Sequence, residues 1–146
     1  MTPNGIVIHP DGKHLIIAHS NDRKVTVYEL QDNYHSVTHV VDASLLTLPD
    51  NLSIDKEGNV WAGAFPVFKD AIGHVMDCDN HDAYAPSQVL RIKFSEDFKS
   101  WEVTEPFADD GRLASASTAA AAFKNQLLIG TLCRQLVHCY FNNETK

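Results

Sequence analysis

Positive charge is scarce in this sequence of 146 residues. Lys and Arg total 12 and Asp and Glu total 19, so the formal net charge is −7. A nucleic-acid surface needs an excess of basic residues, so the composition disfavours nucleic acid as a partner and suits cations better.

Long apolar runs are also missing. None approaches the ~20 residues that a membrane-spanning helix needs. The first five residues, MTPNG, have neither the basic nor the apolar region of a secretory signal. We therefore expect no membrane segment in this chain, and the compartment stays open.

Cysteine is rare, with only Cys78, Cys133 and Cys139. An odd count without a closely spaced pair is a poor zinc signal and an incomplete disulfide framework. The spacing favours three reduced, partly buried thiols.

A sustained 3.6-residue apolar period is absent, which predicts few helices. A repeat is present instead, in which each copy reads as strand, tight turn, strand, short loop, strand. The copies begin at Asn4, Asn51 and Ser117, and segments 36–43 and 100–108 supply further strands. Four short antiparallel strands per ~40–50 residues are typical of propeller blades, so the sequence predicts an all-β fold.

The repeats are too few to close a ring, since propellers have about four blades or more. We expect residues 1–146 to form an incomplete β-propeller domain of about three blades, with an insert or lid loop at about 65–87. The missing part would precede Met1. Self-association to complete the ring is the alternative.

Polar residues head the first strand of each copy. Asn4 and Asn51 stand at the same place in successive copies, with Asp50 directly before Asn51, and Ser117 and Thr118 stand there in the third copy. First strands of successive blades converge on the propeller axis, where their oxygens could bind one hard cation such as Ca²⁺. Turn chemistry is the alternative, because Asn-Gly and Pro-Asp are common loop dipeptides.

The insert between Phe65 and Ser87 holds several His, Asp and Cys residues, but their spacing fits no metal signature. We interpret it as a solvated loop that could cover the mouth of a substrate pocket. Its apolar residues would then form the pocket rim: Phe65, Val67, Phe68, Ile72 and Val75.

No histidine or serine is assigned a catalytic role. His9, His14 and His19 lie on the first hairpin and are interpreted as turn and strand-surface residues. A G-x-S-x-G elbow is absent, which argues against a serine hydrolase.

Several segments resemble the C-terminal half of the paraoxonase/arylesterase family, in the same order and at matching distances. They are PNGIVIHPDGKHLIIAHSNDRKVTVYEL, LPDNLSIDKEGNVWAGAFP, PSQVLRIKF and STAAAAFKNQLLIGTLCRQLVHCYF. That family is similar in fold to the SMP-30/gluconolactonase group, a six-bladed propeller with Ca²⁺ in its channel. The resemblance implies a calcium-dependent hydrolase of aryl esters and lactones.

The resemblance also implies roles for individual residues. Asn4, Asp50 and Asn51 match ligands of the catalytic calcium, and the expected substrate pocket includes Phe65, Phe68, Ser117 and Thr118.

Three departures from the family pattern matter. The remaining calcium ligands and the general-base histidine have no counterpart here, and a second family histidine is replaced by Phe65. Cys139 matches a family cysteine whose partner is missing, so we expect a free thiol. We therefore expect this chain alone to be a fragment without full activity. A non-enzymatic propeller binding segment and a sugar lactonase of the SMP-30/gluconolactonase kind are the alternatives.

Overall fold

The computed structural model describes residues 2–141, which form three antiparallel sheets. Sheet 1 contains β1 (Pro3–Ile8), β2 (His14–His19), β3 (Lys24–Gln31) and β4 (Ser36–Ser44). Sheet 2 contains β5 (Leu48–Ile54), β6 (Val60–Phe65), β7 (Ser87–Phe94) and β8 (Trp101–Asp109). Sheet 3 contains β9 (Ser117–Phe123), β10 (Gln126–Thr131) and β11 (Val137–Tyr140). In each sheet the spatial order of the strands follows the chain, as in a propeller blade.

Matching turns join the first two strands of sheets 1 and 2. Gly12 and Gly58 have φ of +69° and +83°, a conformation that glycine adopts without steric cost. In each turn an aspartate accepts backbone hydrogen bonds from the residues that follow: Asp11 from Lys13 and His14, and Asp55 from Glu57 and Asn59. Local chemistry therefore sets where each hairpin reverses.

Sheet 2 lies in the middle and buries both of its faces. Val60 and Ala62 of β6 pack in the core that it shares with sheet 1, whereas Trp61 packs in the core shared with sheet 3. Because strand side chains alternate between faces, a continuous apolar run such as VWAGAF is what a doubly buried strand requires.

The two end faces of the array remain open. Ile6 and Ile8 are more than half exposed on sheet 1, and Phe123 and Leu128 are exposed on sheet 3. No helix within residues 2–141 is both long and apolar enough to cross a membrane.

The all-β prediction is confirmed, but the expected solvated loop at 65–87 is wrong. Helix α1 (Phe68–Met76) occupies it, with Ala71 and His74 buried on one side. The sequence does not predict this helix because it is short, its start has no side-chain cap, and its remaining apolar residues face solvent.

The prediction of three reduced cysteines is also wrong. Cys78 and Cys133, 55 residues apart, form a disulfide, and Cys139 is the free thiol among the described residues. The fold brings the end of α1 next to the β10–β11 loop, and the spacing of the cysteines along the sequence does not predict this contact.

Two glycines set the distance between strands of neighbouring sheets. A Cβ at Gly5 would lie 2.6 Å from the carbonyl oxygen of Asp50, and one at Gly63 would lie 2.8 Å from that of Thr118. Both contacts are with backbone atoms, which cannot rotate away. These positions let β1 approach β5 and β6 approach β9 more closely than any other residue would allow.

We expect Gly63→Ala to destabilise the protein by about 1–3 kcal/mol, because the new methyl group on β6 would force the Thr118 peptide of β9 to shift. Urea unfolding measures the change. Gly73→Ala is the matched control, since Gly73 lies in α1 with no atom near its Cβ position, and it should stabilise by about 0.5–1 kcal/mol. Equal effects of the two substitutions would contradict the close approach.

Candidate metal centre

A β-bulge interrupts each first strand close to its beginning. The register between β1 and β2 shifts between Pro3 and Ile6, and that between β5 and β6 shifts between Pro49 and Leu52. A third shift lies between Gly130 and Thr131, opposite the start of β9. A bulge changes the direction in which the side chains of a strand point. The polar residues of the repeats lie in these bulges, where strand pairing is irregular.

The first two bulges bring two of the predicted ligands together. The side-chain amide of Asn4 lies near enough to the carboxyl group of Asp50 to lower its pKa. Asn4 Nδ2 also lies 3.4 Å from Ser20 Oγ, which donates a 2.6 Å bond to the carbonyl oxygen of Pro49. Ser20 therefore links the β2–β3 loop to the bulge of β5, and it is a site neighbour that the repeat pattern did not reveal.

Asp50 is a buried carboxylate without a cationic partner. Its residue is 9% exposed, and none of the ion pairs found in residues 2–141 includes it. Burial raises the pKa of the Asp50 carboxyl above its ordinary value, and the hydrogen bond from Asn4 opposes that rise only in part. Such a group is destabilising when charged unless a cation joins it.

Asn51 occupies the same bulge as Asp50 and is exposed. Its side chain makes no hydrogen bond within the described part of the chain, so its oxygen is available. Asn4, Asp50 and Asn51 thus offer one carboxylate and two amide oxygens, a hard donor set that suits Ca²⁺. The described residues contain no cluster of three His, Cys, Asp or Glu side chains that could hold a metal, so a calcium ion at these three residues would need further oxygen ligands.

The four predicted pocket residues differ in their surroundings. Phe68 is half exposed on α1, and Phe65 and Thr118 are partly buried. Ser117 is fully buried, and its hydroxyl lies 2.8 Å from the carbonyl oxygens of Ala64 and Gln88. Ser117 therefore joins strands of sheets 2 and 3, and the pocket prediction depends on the other three residues.

Helix α1 packs through Ala71 against Ala85 and Ala116. It follows Phe65, which pairs with Leu48 two residues before Asp50. Its exposed apolar residues recur at helical spacing and so form one stripe, the α1 stripe: Phe68, Ile72, Val75 and Met76. An apolar surface next to buried polar groups is the usual composition of a ligand pocket.

His19 is the clearest residue that sequence reasoning misplaced. It was expected on the strand surface, but it is 3% exposed and neither ring nitrogen has a hydrogen-bond partner in residues 2–141. Burial lowers the pKa of His19, and the nearby charge of Lys24 lowers it further. His19 pairs with Pro3 and precedes Ser20, so it belongs to the support of the Asn4 bulge.

Three stacked antiparallel sheets, each with its bulge at the same end of the first strand, define a propeller-type protein with a candidate oxygen-ligand site. A solved structure supports this fold: a luciferin-regenerating enzyme superposes with a TM-score of 0.58 over 89% of this chain and 37% of that one. At 17% identity this likeness shows the fold alone.

Sequence comparison gives the family. The arylesterase family profile matches residues 1–141. The chain therefore belongs to the arylesterase family, and the resemblance expected from its motifs is confirmed.

Individual relatives agree with this membership. Serum paraoxonase/arylesterase 1 of Homo sapiens is 37% identical over 139 residues, and serum paraoxonase/arylesterase 2 of Gallus gallus is 34% identical over 137. Each alignment covers 93% of this chain and 37% of the relative. Mechanosensory abnormality protein 6 of Caenorhabditis elegans is 38% identical over 96 residues, 65% of this chain and 26% of that protein. The chain thus spans well under half of these relatives.

The burial of His19 predicts how stability depends on pH. The unfolded chain protonates this residue near ~6.5, whereas the folded chain resists protonation, so stability should fall as the pH drops below that value. In His19→Leu this acid-side loss should be smaller, and at neutral pH the variant should be at least as stable as the parent, because two unpartnered nitrogens are removed.

Urea unfolding at a series of pH values measures both effects. His81→Leu, at an exposed position, is the control and should retain the full acid-side loss. An unchanged pH dependence in His19→Leu would contradict the assignment.

Proposed function

We propose that this chain forms part of a calcium-dependent hydrolase of aryl esters and lactones. The observation that carries the proposal is Asp50, a buried carboxylate that faces the Asn4 amide with no cation to balance it. Membership of the arylesterase family and the names of the paraoxonase/arylesterase relatives support the reaction class.

Asn4, Asp50 and Asn51 would hold the ion. The carboxylate of Asp50 supplies the negative charge, and the two amides supply neutral oxygens. Asn4 now presents its amide nitrogen to Ser20 Oγ at 3.4 Å, so it would turn its carbonyl oxygen to the ion instead. Ca²⁺ takes about 6–8 oxygen ligands, and the remainder would come from outside these three side chains. A bound Ca²⁺ acts as a Lewis acid that polarises the substrate carbonyl and stabilises the developing oxyanion.

The α1 stripe would serve as the apolar wall of the substrate pocket. An aryl group or the carbon ring of a lactone buries apolar surface against such a wall, and water is excluded from the reacting carbonyl. Phe65, at the base of the wall, cannot transfer a proton. The proton transfers of ester hydrolysis therefore need a group other than Phe65, and none is assigned here.

A non-enzymatic binding role is the second candidate. One relative, mechanosensory abnormality protein 6, has a name that specifies no enzymatic reaction. Fold and family alone do not decide catalysis, whereas a hydrolase must lose its activity when the site carboxylate is neutralised.

The test places this chain in a complete protein. We expect the chain alone to show little aryl-ester hydrolysis, because it supplies three ligand side chains. A chimera in which it replaces the aligned segment of human serum paraoxonase/arylesterase 1 should hydrolyse an aryl ester and a lactone, and a calcium chelator should abolish both activities. Asp50→Asn in the chimera should reduce the hydrolysis rate by about 100-fold or more, because a neutral amide holds the cation less tightly.

Asp22→Asn is the matched control, since Asp22 is exposed, and it should retain the activity. Circular dichroism checks that each chimera is folded. A folded, calcium-binding chimera that hydrolyses neither substrate would overturn the enzymatic proposal and favour the binding role.

A further inference from the structure

His74 of α1 has an unusual environment. Its ring is 1% exposed, with Nδ1 lying 2.6 Å from the carbonyl oxygen of Ala83 and Nε2 lying 2.9 Å from that of Leu132. Ala83 belongs to the same insert as α1, whereas Leu132 belongs to the loop between β10 and β11. The ring therefore bridges two separate segments.

Both partners of His74 are carbonyl oxygens, which only accept hydrogen bonds. A neutral imidazole carries one N–H, and its other nitrogen presents a lone pair. In that form one of the two contacts would set a lone pair against a carbonyl oxygen. The imidazolium form carries two N–H groups and donates to both, and such charge-assisted bonds are stronger than neutral ones.

Two further ties connect the same segments. The disulfide joins Cys78, just after α1, to Cys133 beside Leu132. Arg134 donates from Nη1 to the carbonyl oxygen of Cys78 and from Nη2 to that of Asn80, each at 2.9 Å. The insert and the β10–β11 loop are thus held together at three points, and His74 is the one whose number of N–H donors depends on its protonation.

We propose that His74 is a positioning residue for the substrate wall, and that its second ring proton holds α1 against the β10–β11 loop. This inference rests on the proposed function, because the α1 stripe matters to activity only if it lines the substrate pocket. Loss of that proton removes one of the two hydrogen bonds and loosens the start and middle of α1. The disulfide still holds the end of α1 against the β10–β11 loop.

The other charged groups near the insert do not neutralise the ring. None forms an ion pair with His74 in the described part of the structure, and Arg134 is engaged with backbone carbonyls. The titratable and charged groups on these elements are Lys69, Asp70, Asp77, Asp79, His81, Asp82, Tyr84 and Arg134.

The experiment uses this chain without metal or substrate, so it remains informative whatever becomes of the proposed function. ¹⁵N NMR of the histidine rings follows the protonation of His74 with pH, and hydrogen exchange of the α1 amides, corrected for intrinsic rates, follows the helix. At acidic pH, we expect both ring nitrogens of His74 to be protonated in the folded chain. Protection of α1 should then fall by about tenfold over the same pH interval in which His74 loses its second proton.

His74→Gln retains one donor group and should remove this pH step, whereas His81→Gln, at an exposed position in the same insert, should retain it. If His74→Gln fails to fold, the two measurements on the parent chain decide the question. A ring that is neutral throughout the range, or α1 protection that passes unchanged through the titration of His74, would overturn the proposal.

Discussion

The close approach of β1 to β5 is the constraint on which the rest of the site depends. Gly5 has no side chain to hold the two backbones apart, and this contact brings Asn4 close enough to Asp50 to influence its pKa. The bulges on both sides turn these residues out of regular strand pairing. A site built in this way needs no long loop, because the stacking of the sheets supplies its geometry.

The same arrangement carries a stability cost. Within residues 2–141, Asp50 is buried without a cationic side chain, and His19 beside the neighbouring bulge is buried without a hydrogen-bond partner. Burial raises the pKa of Asp50 and lowers that of His19. Proteins tolerate such groups where the surrounding packing fixes them, and they commonly do so at functional sites. The doubly buried strands of sheet 2 provide that packing here.

The repeats alone were enough to predict the strands and the hairpin turns, and they aligned Asn4 with Asn51, because these features follow from alternation and turn chemistry within each copy. The burial of His19 was not predictable, since it depends on contacts made by neighbouring strands. Helix α1 was missed because its apolar stripe faces solvent and its start has no capping side chain. The Cys78–Cys133 disulfide depends on a return of the chain over 55 residues, which no local pattern encodes.

The most direct test of the account is an NMR titration of the Asp50 carboxyl carbon, in the metal-free chain and with Ca²⁺ added. Without metal the Asp50 pKa should lie above the ordinary aspartate value, and it should fall markedly when Ca²⁺ binds, because a cation favours the charged form. Mg²⁺ should lower the Asp50 pKa less. An ordinary value that Ca²⁺ leaves unchanged would show that the bulges do not form a cation site.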